Sequence, residues 1–415
     1  MKLRQFEFHE FLTPPAKMEG KWWEIRKGYG LSQTNSYGEA VGRLFYGIKI
    51  TADDGCEGFL FGRVPTGSYG AGNLEGNLLI TEQDINDTGF FDRQRRSCMN
   101  TWDALKKYDP MNTEQIWHGL RSAGLDCSIT EALWDLKARF AGLPLHQLVG
   151  GAGRTRVRAY ASTFCDIGTP DQYAEHAMDC YKMGYRAYKI HPYRCLNPAI
   201  MKPAGGNTAF PHYDIEICQA VKAKIGDRME LMLDPDGIYK TEEDAIMVGR
   251  ELKKLGFKWY EAPMDERENP EKYAMIRSES GVPMCGPENA PGGYKTRALW
   301  HQNGWTDTIR PEGGFIDIIK TMSYAQVCGS KCEVHGGGWI AINAIAAFPE
   351  DVVEYYEQLL VEPGQSEFTP TGIENNEPRF ENGEIIVPME PGVGYGKNYW
   401  PFVLENSLRS FTLRV

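Results

Sequence analysis

Three short apolar segments of the sequence each end in one acidic residue. Residues 231–237 read LMLDPDG with Asp234, residues 257–263 read FKWYEAP with Glu261, and residues 282–289 read VPMCGPEN with Glu288. An apolar run that ends in a polar residue and is followed by a helical segment is typical of a buried parallel strand. A single acid of this kind is equally well explained by solvation or by capping of the next helix. Three in succession favour an oxygen-ligated divalent cation such as Mg²⁺.

The segments around these acids alternate between strand-like and helix-like patterns. The alternation begins at Ile129 and continues to about residue 365, which predicts a parallel α/β barrel rather than an open sheet. No GxGxxG motif follows the first predicted strand, so the sequence does not support a dinucleotide-binding fold. We therefore assign residues 129–365 to a barrel domain.

The two ends of the chain lack this alternation. Residues 1–128 have the irregular pattern of an α+β domain, and residues 55–76 contain many glycines, which predicts a loop that is either a linker or a lid. Residues 366–415 are rich in turn-forming residues, and we expect this tail to pack on the N-terminal domain. The predicted organisation is thus a barrel with a cap built from both ends of the chain.

Composition and charge exclude several classes of function. The chain has 415 residues, a formal net charge of −11 and a sequence pI near 5.4, which argues against binding to nucleic acid or to anionic membranes. No apolar run reaches the length of a membrane helix, and the N-terminus has no apolar signal core. The ten cysteines show no regular spacing, which favours reduced thiols in a cytoplasmic protein.

A spaced set of residues resembles the pattern of the enolase superfamily, in its mandelate racemase-like branch. The three strand-end acids carry the resemblance together with His335 in EVHGGG, Lys189 and His191 in AYKIH, and the PGVG sequence of the tail. The resemblance implies an α+β capping domain, a (β/α)7β barrel, Mg²⁺, abstraction of the proton α to a carboxylate, and a homo-oligomer. It identifies Asp234, Glu261 and Glu288 as the metal ligands and His335 as the catalytic histidine.

The sequence also departs from the family pattern at three places. His191 stands where the family has the second lysine of its Lys-x-Lys strand, and Glu312, in IRPEGG, stands where the family has an aspartate that pairs with the catalytic histidine. Residues 193–211 form an insertion after His191. These departures bear on the substrate and on the choice between a dehydratase and a racemase.

The predicted chemistry follows from the residues that the resemblance brings together. A cation that binds both oxygens of a substrate carboxylate stabilises the enediolate formed when the α-proton leaves, and Lys189 adds positive charge nearby. His335, oriented by Glu312, is the predicted base, and its imidazolium can then protonate a departing β-hydroxyl. The predicted reaction is dehydration of an aldonate or aldarate to a 2-keto-3-deoxy acid.

Alternative functions and two further candidate residues remain open at this point. If His191 acts as a second base on the opposite face, the same site could racemise or epimerise a carboxylate substrate, or act as a cycloisomerase. A non-catalytic binding protein and a metal-dependent hydrolase are weaker alternatives.

Asp236, expected on the same strand face as Asp234, could bind substrate hydroxyls or cap the turn in DPDG. Glu357, in EYYEQL, is a further substrate-binding candidate.

Overall fold

The computed structural model describes most of the chain. The described residues are 1–13, 19–28, 34–35, 38–39, 43–64, 86–163, 167–192, 210–365 and 377–415. Residues 193–209 of the predicted insertion and residues 65–76 of the predicted glycine-rich loop lie outside these ranges.

The N-terminal part of the chain builds an antiparallel sheet with helices. Its elements are β1 (Leu3–Thr13), α1 (Lys21–Gly28), β2 (Thr34–Asn35), β3 (Gly38–Glu39), β4 (Arg43–Ala52), β5 (Glu57–Arg63), α2 (Gly89–Leu105) and α3 (Thr113–Ser122). Phe6 and Phe8 alternate along β1 and lie in the core of the sheet, where Phe8 stacks on Tyr46 with ring centroids 5.5 Å apart. The pattern of alternate apolar residues therefore sets which face of β1 is buried.

The loop predicted over residues 55–76 is wrong for residues 57–63, which form strand β5. Glu57–Arg63 pairs with β4 along its length, and Gly58 and Gly62 lie where other groups approach its backbone. A Cβ atom on Gly58 would collide with the carbonyl oxygen of Ala132, and one on Gly62 would collide with the ring of Tyr46. The glycines of this segment thus mark close packing within a strand.

The central part of the chain alternates helices and parallel strands. Its elements are α4 (Ile129–Ala141), α5 (Leu145–Leu148), β6 (Arg156–Thr163), α6 (Pro170–Lys182), β7 (Ala187–Ile190), α7 (Pro211–Ile225), β8 (Glu230–Leu233), α8 (Glu242–Leu255), β9 (Trp259–Glu261), α9 (Glu271–Ser280), β10 (Met284–Gly286), α10 (Tyr294–Gln302), β11 (Thr308–Ile309), α11 (Phe315–Cys328), β12 (Lys331–Cys332), α12 (Trp339–Ala347) and β13 (Tyr355–Leu360).

Strands β6 to β13 pair in parallel in the order β13-β6-β7-β8-β9-β10-β11-β12. Next to β13, Val353 forms an isolated parallel bridge with Cys332 of β12. A separate cluster of buried side chains comes from six of these strands: Tyr160, Ala187, Met232, Trp259, Cys285 and Tyr355. The predicted α/β class is confirmed, and the parallel order places the carboxyl ends of all these strands on one side.

The C-terminal elements contact both parts of the molecule. They are β14 (Phe380–Glu381), β15 (Glu384–Ile386), α13 (Tyr399–Glu405) and β16 (Ser407–Arg414). Strand β16 pairs with β1 of the antiparallel sheet, whereas β15 pairs with β6 of the parallel sheet. The tail therefore touches the parallel sheet as well as the N-terminal sheet on which it was expected to pack.

One buried carboxylate joins three of these regions. Asp135 of α4 accepts hydrogen bonds from the backbone N–H of Phe59 in β5 (2.9 Å) and of Val393 in the PGVG segment (2.7 Å), and it pairs with Arg139 (2.7 Å). Helix α4 also packs Leu133 into the core of the antiparallel sheet. Through Asp135, this helix links the first sheet to the tail.

None of the helices in the described ranges combines the length and the apolar character needed to cross a membrane.

We predict that Asp135→Ala destabilises the protein by about 2–4 kcal/mol, because two buried N–H groups lose their acceptor. The free energy of unfolding from chemical denaturation measures this loss. The control is Asp227→Ala, which removes an exposed acid paired with Lys222 and should leave stability unchanged. Equal stability of the Asp135 variant and the wild type would contradict the linking role of this residue.

Candidate active site

The three predicted metal ligands lie together at the carboxyl ends of neighbouring strands. Asp234 follows β8, Glu261 ends β9, and Glu288 lies two residues after β10. One carboxylate oxygen of each lies within 4.8 Å of the others. Opposite ligands of an octahedral Mg²⁺ ion are about 4.2 Å apart, given bonds of about 2.1 Å. The spacing of these oxygens therefore fits a single hard cation.

Glu261 also belongs to a closed set of four buried side chains of alternating charge, which we term the ion ring. Lys189 Nζ lies 3.0 Å from Glu261 Oε2 and 2.9 Å from Glu357 Oε1. Arg310 lies 2.5 Å from Glu261 Oε1 through Nε and 2.6 Å from Glu357 Oε2 through Nη2. Each cation thus bridges the same two acids. Lys189 also lies 3.2 Å from Asp234, so a second predicted metal ligand contacts the ion ring.

Sequence reasoning misses Arg310, although a signal for it was present. The residue directly follows the apolar strand β11, is fully buried, and donates to the hydroxyl of Tyr160 (3.1 Å) in the interior. A charged residue at the end of a buried strand requires a charged partner. The same argument that singles out Lys189 on β7 applies to Arg310.

The two acids of the ion ring differ in their proton affinity. Burial raises the pKa of Glu261 well above its usual range, and Arg310 and Lys189 offset this only in part because Asp234 and Glu288 also face this carboxyl. Burial acts on Glu357 in the same direction, but Arg310 and Lys189 outweigh it and hold its pKa well below the usual range. A cation bound beside Glu261 would favour its ionised form.

Glu357 was predicted to bind substrate, but its acceptor positions are already used. Besides Lys189 and Arg310, its carboxylate accepts hydrogen bonds from the hydroxyl of Ser162 (2.8 Å) and from the backbone N–H of Gly336 (2.8 Å). A carboxylate has about four lone-pair sites. The contacts of Glu357 are therefore those of a counter-ion and leave no site for a substrate hydroxyl.

The predicted base and its predicted partner lie on adjacent loops above the ion ring. His335 Nδ1 is 3.4 Å from Glu312 Oε1, and His335 Nε2 is 3.3 Å from Glu288 Oε1. Burial lowers the pKa of His335, but the carboxylates of Glu288 and Glu312 outweigh this effect and raise it above its ordinary value. The side chain is 38% exposed, so a ligand can reach the imidazole.

His191 contacts a different one of the three acids and is more deeply buried than His335. Its Nε2 is 2.9 Å from Asp234 Oδ2, and the residue is only 7% exposed. Both imidazoles therefore contact a candidate metal ligand, but that of His191 is buried whereas that of His335 is exposed to solvent.

Asp236 does not lie on the strand face that the sequence predicts. Strand β8 ends at Leu233, and Asp236 adopts a φ of 53° in the turn that follows. Its backbone N–H donates to Asp234 Oδ1 (3.0 Å), so this turn helps to fix the carboxylate of Asp234. The alternation of a strand cannot be extended into the turn, which is why the predicted placement was wrong.

A second residue that sequence reasoning misses holds the backbone of Glu288. The carboxylate of Glu266, which is 3% exposed, accepts hydrogen bonds from the N–H groups of Glu288 (2.7 Å) and Asn289 (2.5 Å). The buried Arg297 donates to the carbonyl oxygen of Glu288 and pairs with Glu312 (3.3 Å). Glu266 and Arg297 therefore fix the segment that carries the third acid.

Comparison with known proteins agrees with this arrangement. The family model described as Enolase C-terminal domain-like matches residues 172–398, more than half of the chain. The chain belongs to the enolase superfamily. The resemblance read from the residues is thereby confirmed.

Proteins similar to this chain include a cycloisomerase, a member of a dehydratase family and a dehydratase of known structure. D-galactarolactone cycloisomerase from Agrobacterium fabrum is 28% identical over 317 residues, which are 69% of this chain and 78% of that protein. The D-galactonate dehydratase family member RspA from Halomonas elongata is 26% identical over 397 residues, 86% of this chain and 90% of that protein. The crystal structure of D-glucarate dehydratase from Agrobacterium tumefaciens complexed with magnesium superposes with a TM-score of 0.74 at 26% identity and covers 99% of this chain and 100% of that chain.

We predict that Glu266→Ala destabilises the protein by about 1–3 kcal/mol, because the N–H groups of Glu288 and Asn289 lose their acceptor. Glu266→Gln is the matched control, since its amide oxygen can accept both hydrogen bonds, and it should remain close to the wild type. Chemical denaturation of the metal-free protein measures both. If Glu266→Gln lowers the free energy of unfolding as much as Glu266→Ala does, the acceptor role of Glu266 is excluded.

Proposed function

We propose that this protein is a Mg²⁺-dependent dehydratase of a sugar acid, an aldonate or aldarate. The observation that carries the proposal is the position of His335, which is exposed to solvent, paired with Glu312 and adjacent to the three clustered acids. The names of the relatives support this reaction class, because two of those described above are dehydratases of sugar acids or members of such a family. The enzyme would be a hydro-lyase.

The residues that would hold the magnesium ion are Asp234, Glu261 and Glu288. Their oxygens have the required spacing, and the acids Asp234, Glu261, Glu288 and Glu357 exceed the cations Lys189 and Arg310 by two charges, which a divalent ion balances. When bound, the ion supplies Lewis-acid stabilisation of the negative charge that develops on the substrate carboxylate.

The chain's own residues would then carry out the proton transfers. His335 removes the proton α to the substrate carboxylate at its exposed imidazole, while Glu312 orients the ring through Nδ1 and favours the imidazolium. The same imidazolium returns the proton to the departing β-hydroxyl, which leaves as water. The enol product tautomerises to a 2-keto-3-deoxy acid. Lys189 holds Asp234 and Glu261 in place and adds positive charge beside the reacting carboxylate.

We also propose the closed form of the fold and its division into domains. The ion ring joins β7, β9, the end of β11 and β13 around a common interior, and the bridge between Cys332 and Val353 links β12 to β13, which supports closure into a (β/α)7β barrel. Residues 1–128 and 366–415 would form the cap and residues 129–365 the catalytic barrel, with α4 packed between them.

A racemase, an epimerase or a cycloisomerase would use the same first step, and the relative from Agrobacterium fabrum bears a cycloisomerase name. A racemase needs a second base that reaches the opposite face of the substrate. His191 is the candidate, but its contact with Asp234 and its burial favour a fixed role instead. These contacts support dehydration over racemisation.

The reaction is tested with a library of aldonic and aldaric acids in the presence of Mg²⁺, by assay for 2-keto products. We predict turnover of at least one acid, and we predict that His335→Asn lowers kcat by roughly 10²–10⁴-fold while Mg²⁺ and substrate still bind. Exchange of the α-proton with solvent deuterium without loss of water would instead identify the racemase. If no acid reacts while Mg²⁺ is bound, the dehydratase proposal fails.

The pH dependence of kcat/KM tests the pairing of His335 with Glu312. The base must be neutral, so activity rises as pH increases through the pKa of His335, which the two carboxylates raise above its ordinary value. We predict that Glu312→Gln moves this rise, the acidic limb of the pH profile, to lower pH. The reason is that one of the two carboxylates that raise the pKa of His335 loses its charge. The exposed Glu268→Gln serves as the control and should leave the limb in place. A limb that stays fixed or moves to higher pH in the Glu312 variant would contradict the pairing.

A further inference from the structure

Six buried or half-buried side chains of the described part of the chain, all of them Asp, Glu, Lys or Arg, are joined by ion pairs at the candidate metal ligands. Four are acids and two are cations: Asp234, Glu261, Glu288, Glu357, Lys189 and Arg310. In such surroundings charges interact strongly because water does not screen them. The sum of these charges therefore contributes directly to the affinity for any cation that binds there.

Lys189 and Arg310 each contact two of the three proposed ligands, and Arg310 is the cation whose charge cannot be lost. Its Nε lies 2.5 Å from Glu261 Oε1 and 3.4 Å from Glu288 Oε2, so it touches two of the three proposed ligands. A guanidinium does not lose its proton in proteins, whereas a buried lysine can. The hydroxyl of Tyr160 and the carboxylate of Glu357 hold the other end of the group in place. Arg310 thus supplies a permanent positive charge at a fixed position.

We propose that Arg310 is a positioning residue whose charge sets the valence of the cation that the site prefers. With Arg310 present, the acids exceed the cations by two charges, which matches a divalent ion. Without it, the excess is three, which matches a trivalent ion. The inference rests on the proposed function in one respect, namely that Asp234, Glu261 and Glu288 bind Mg²⁺.

A purely structural role for Arg310 makes a different prediction. If the guanidinium only shaped the site, its loss would weaken the binding of all cations by similar factors. Loss of a group that contacts the metal ligands but not the metal typically lowers metal affinity by about 10–100-fold. If its charge sets the valence, its loss must change the ratio of affinities for trivalent and divalent ions. The ratio therefore separates the two roles.

The experiment measures the affinities of the full chain for Mg²⁺ and for Tb³⁺ by calorimetric titration. Arg310→Gln removes one positive charge, and Glu357→Gln removes one negative charge from the same ion ring. Arg310→Lys retains the charge. Arg277→Gln is the control, because Arg277 is an exposed arginine that pairs with Asp307 elsewhere on the surface. Five other titratable side chains near the ligands stay in place in every protein compared: Asp236, Glu266, Glu312, His191 and His335.

We expect the ratio of Tb³⁺ to Mg²⁺ affinity to rise about tenfold or more in Arg310→Gln and to fall by a similar factor in Glu357→Gln. Arg310→Lys and Arg277→Gln should keep the wild-type ratio. A ratio that is unchanged, or that moves in the same direction in both Gln variants, overturns the inference. Thermal melting without metal checks folding; if Arg310→Gln does not fold, the Glu357→Gln result decides alone.

Failure of this inference can be distinguished from failure of the proposed function. Wild-type protein that binds Mg²⁺ and dehydrates an acid, with variants that leave the ratio unmoved, refutes the charge role of Arg310 only. Wild-type protein that does not bind Mg²⁺ refutes both.

Discussion

The structure depends on the compensation of charge inside a water-excluded interior. Lys189, Glu261, Arg310 and Glu357 are between 0% and 4% exposed, and any one of them would be strongly unfavourable there alone. Each is tolerated because it contacts at least two partners of opposite sign. The arrangement is mutually dependent: the loss of one member leaves an uncompensated charge on its neighbours, so the positions of all four are set together.

The parallel strand order explains how these four side chains meet. They come from β7, β9, the end of β11 and β13, and on three of these strands the residue two positions earlier belongs to one buried cluster: Ala187, Trp259 and Tyr355. Alternate strands of a parallel barrel contribute side chains to a common layer, which is usually filled by branched apolar residues. In the proposed barrel, the four charged side chains would form the layer nearest the carboxyl ends. The buried cluster that contains Trp259 and Tyr355 adjoins them, because the hydroxyl of Tyr160 in this cluster accepts a hydrogen bond from Arg310.

The sequence allowed correct prediction of features that depend on local pattern. Periodicity located the parallel strands, and the acid at the end of each of three strands followed from the pattern of the single segment that contains it. Features that depend on contacts between distant segments were missed. The role of Arg310 requires knowing that β11 lies across from β9 and β13, and the strand around Gly58 requires knowing that α4 approaches it. Asp236 was misplaced for a related reason, because the end of a strand is set by the turn chemistry that follows.

The division between fixed and accessible groups bears on how such a site acquires its specificity. The ion ring and Asp234 are buried and held by several contacts each, whereas His335 and Glu312 have side chains that are 38% and 37% exposed. A ligand can therefore reach the imidazole, whereas the ion ring is closed to solvent. Under the proposed function, changes in the loops around His335 would alter which acid is bound while the proton chemistry is preserved. Relatives of this chain that carry the names of different sugar-acid enzymes are consistent with this separation.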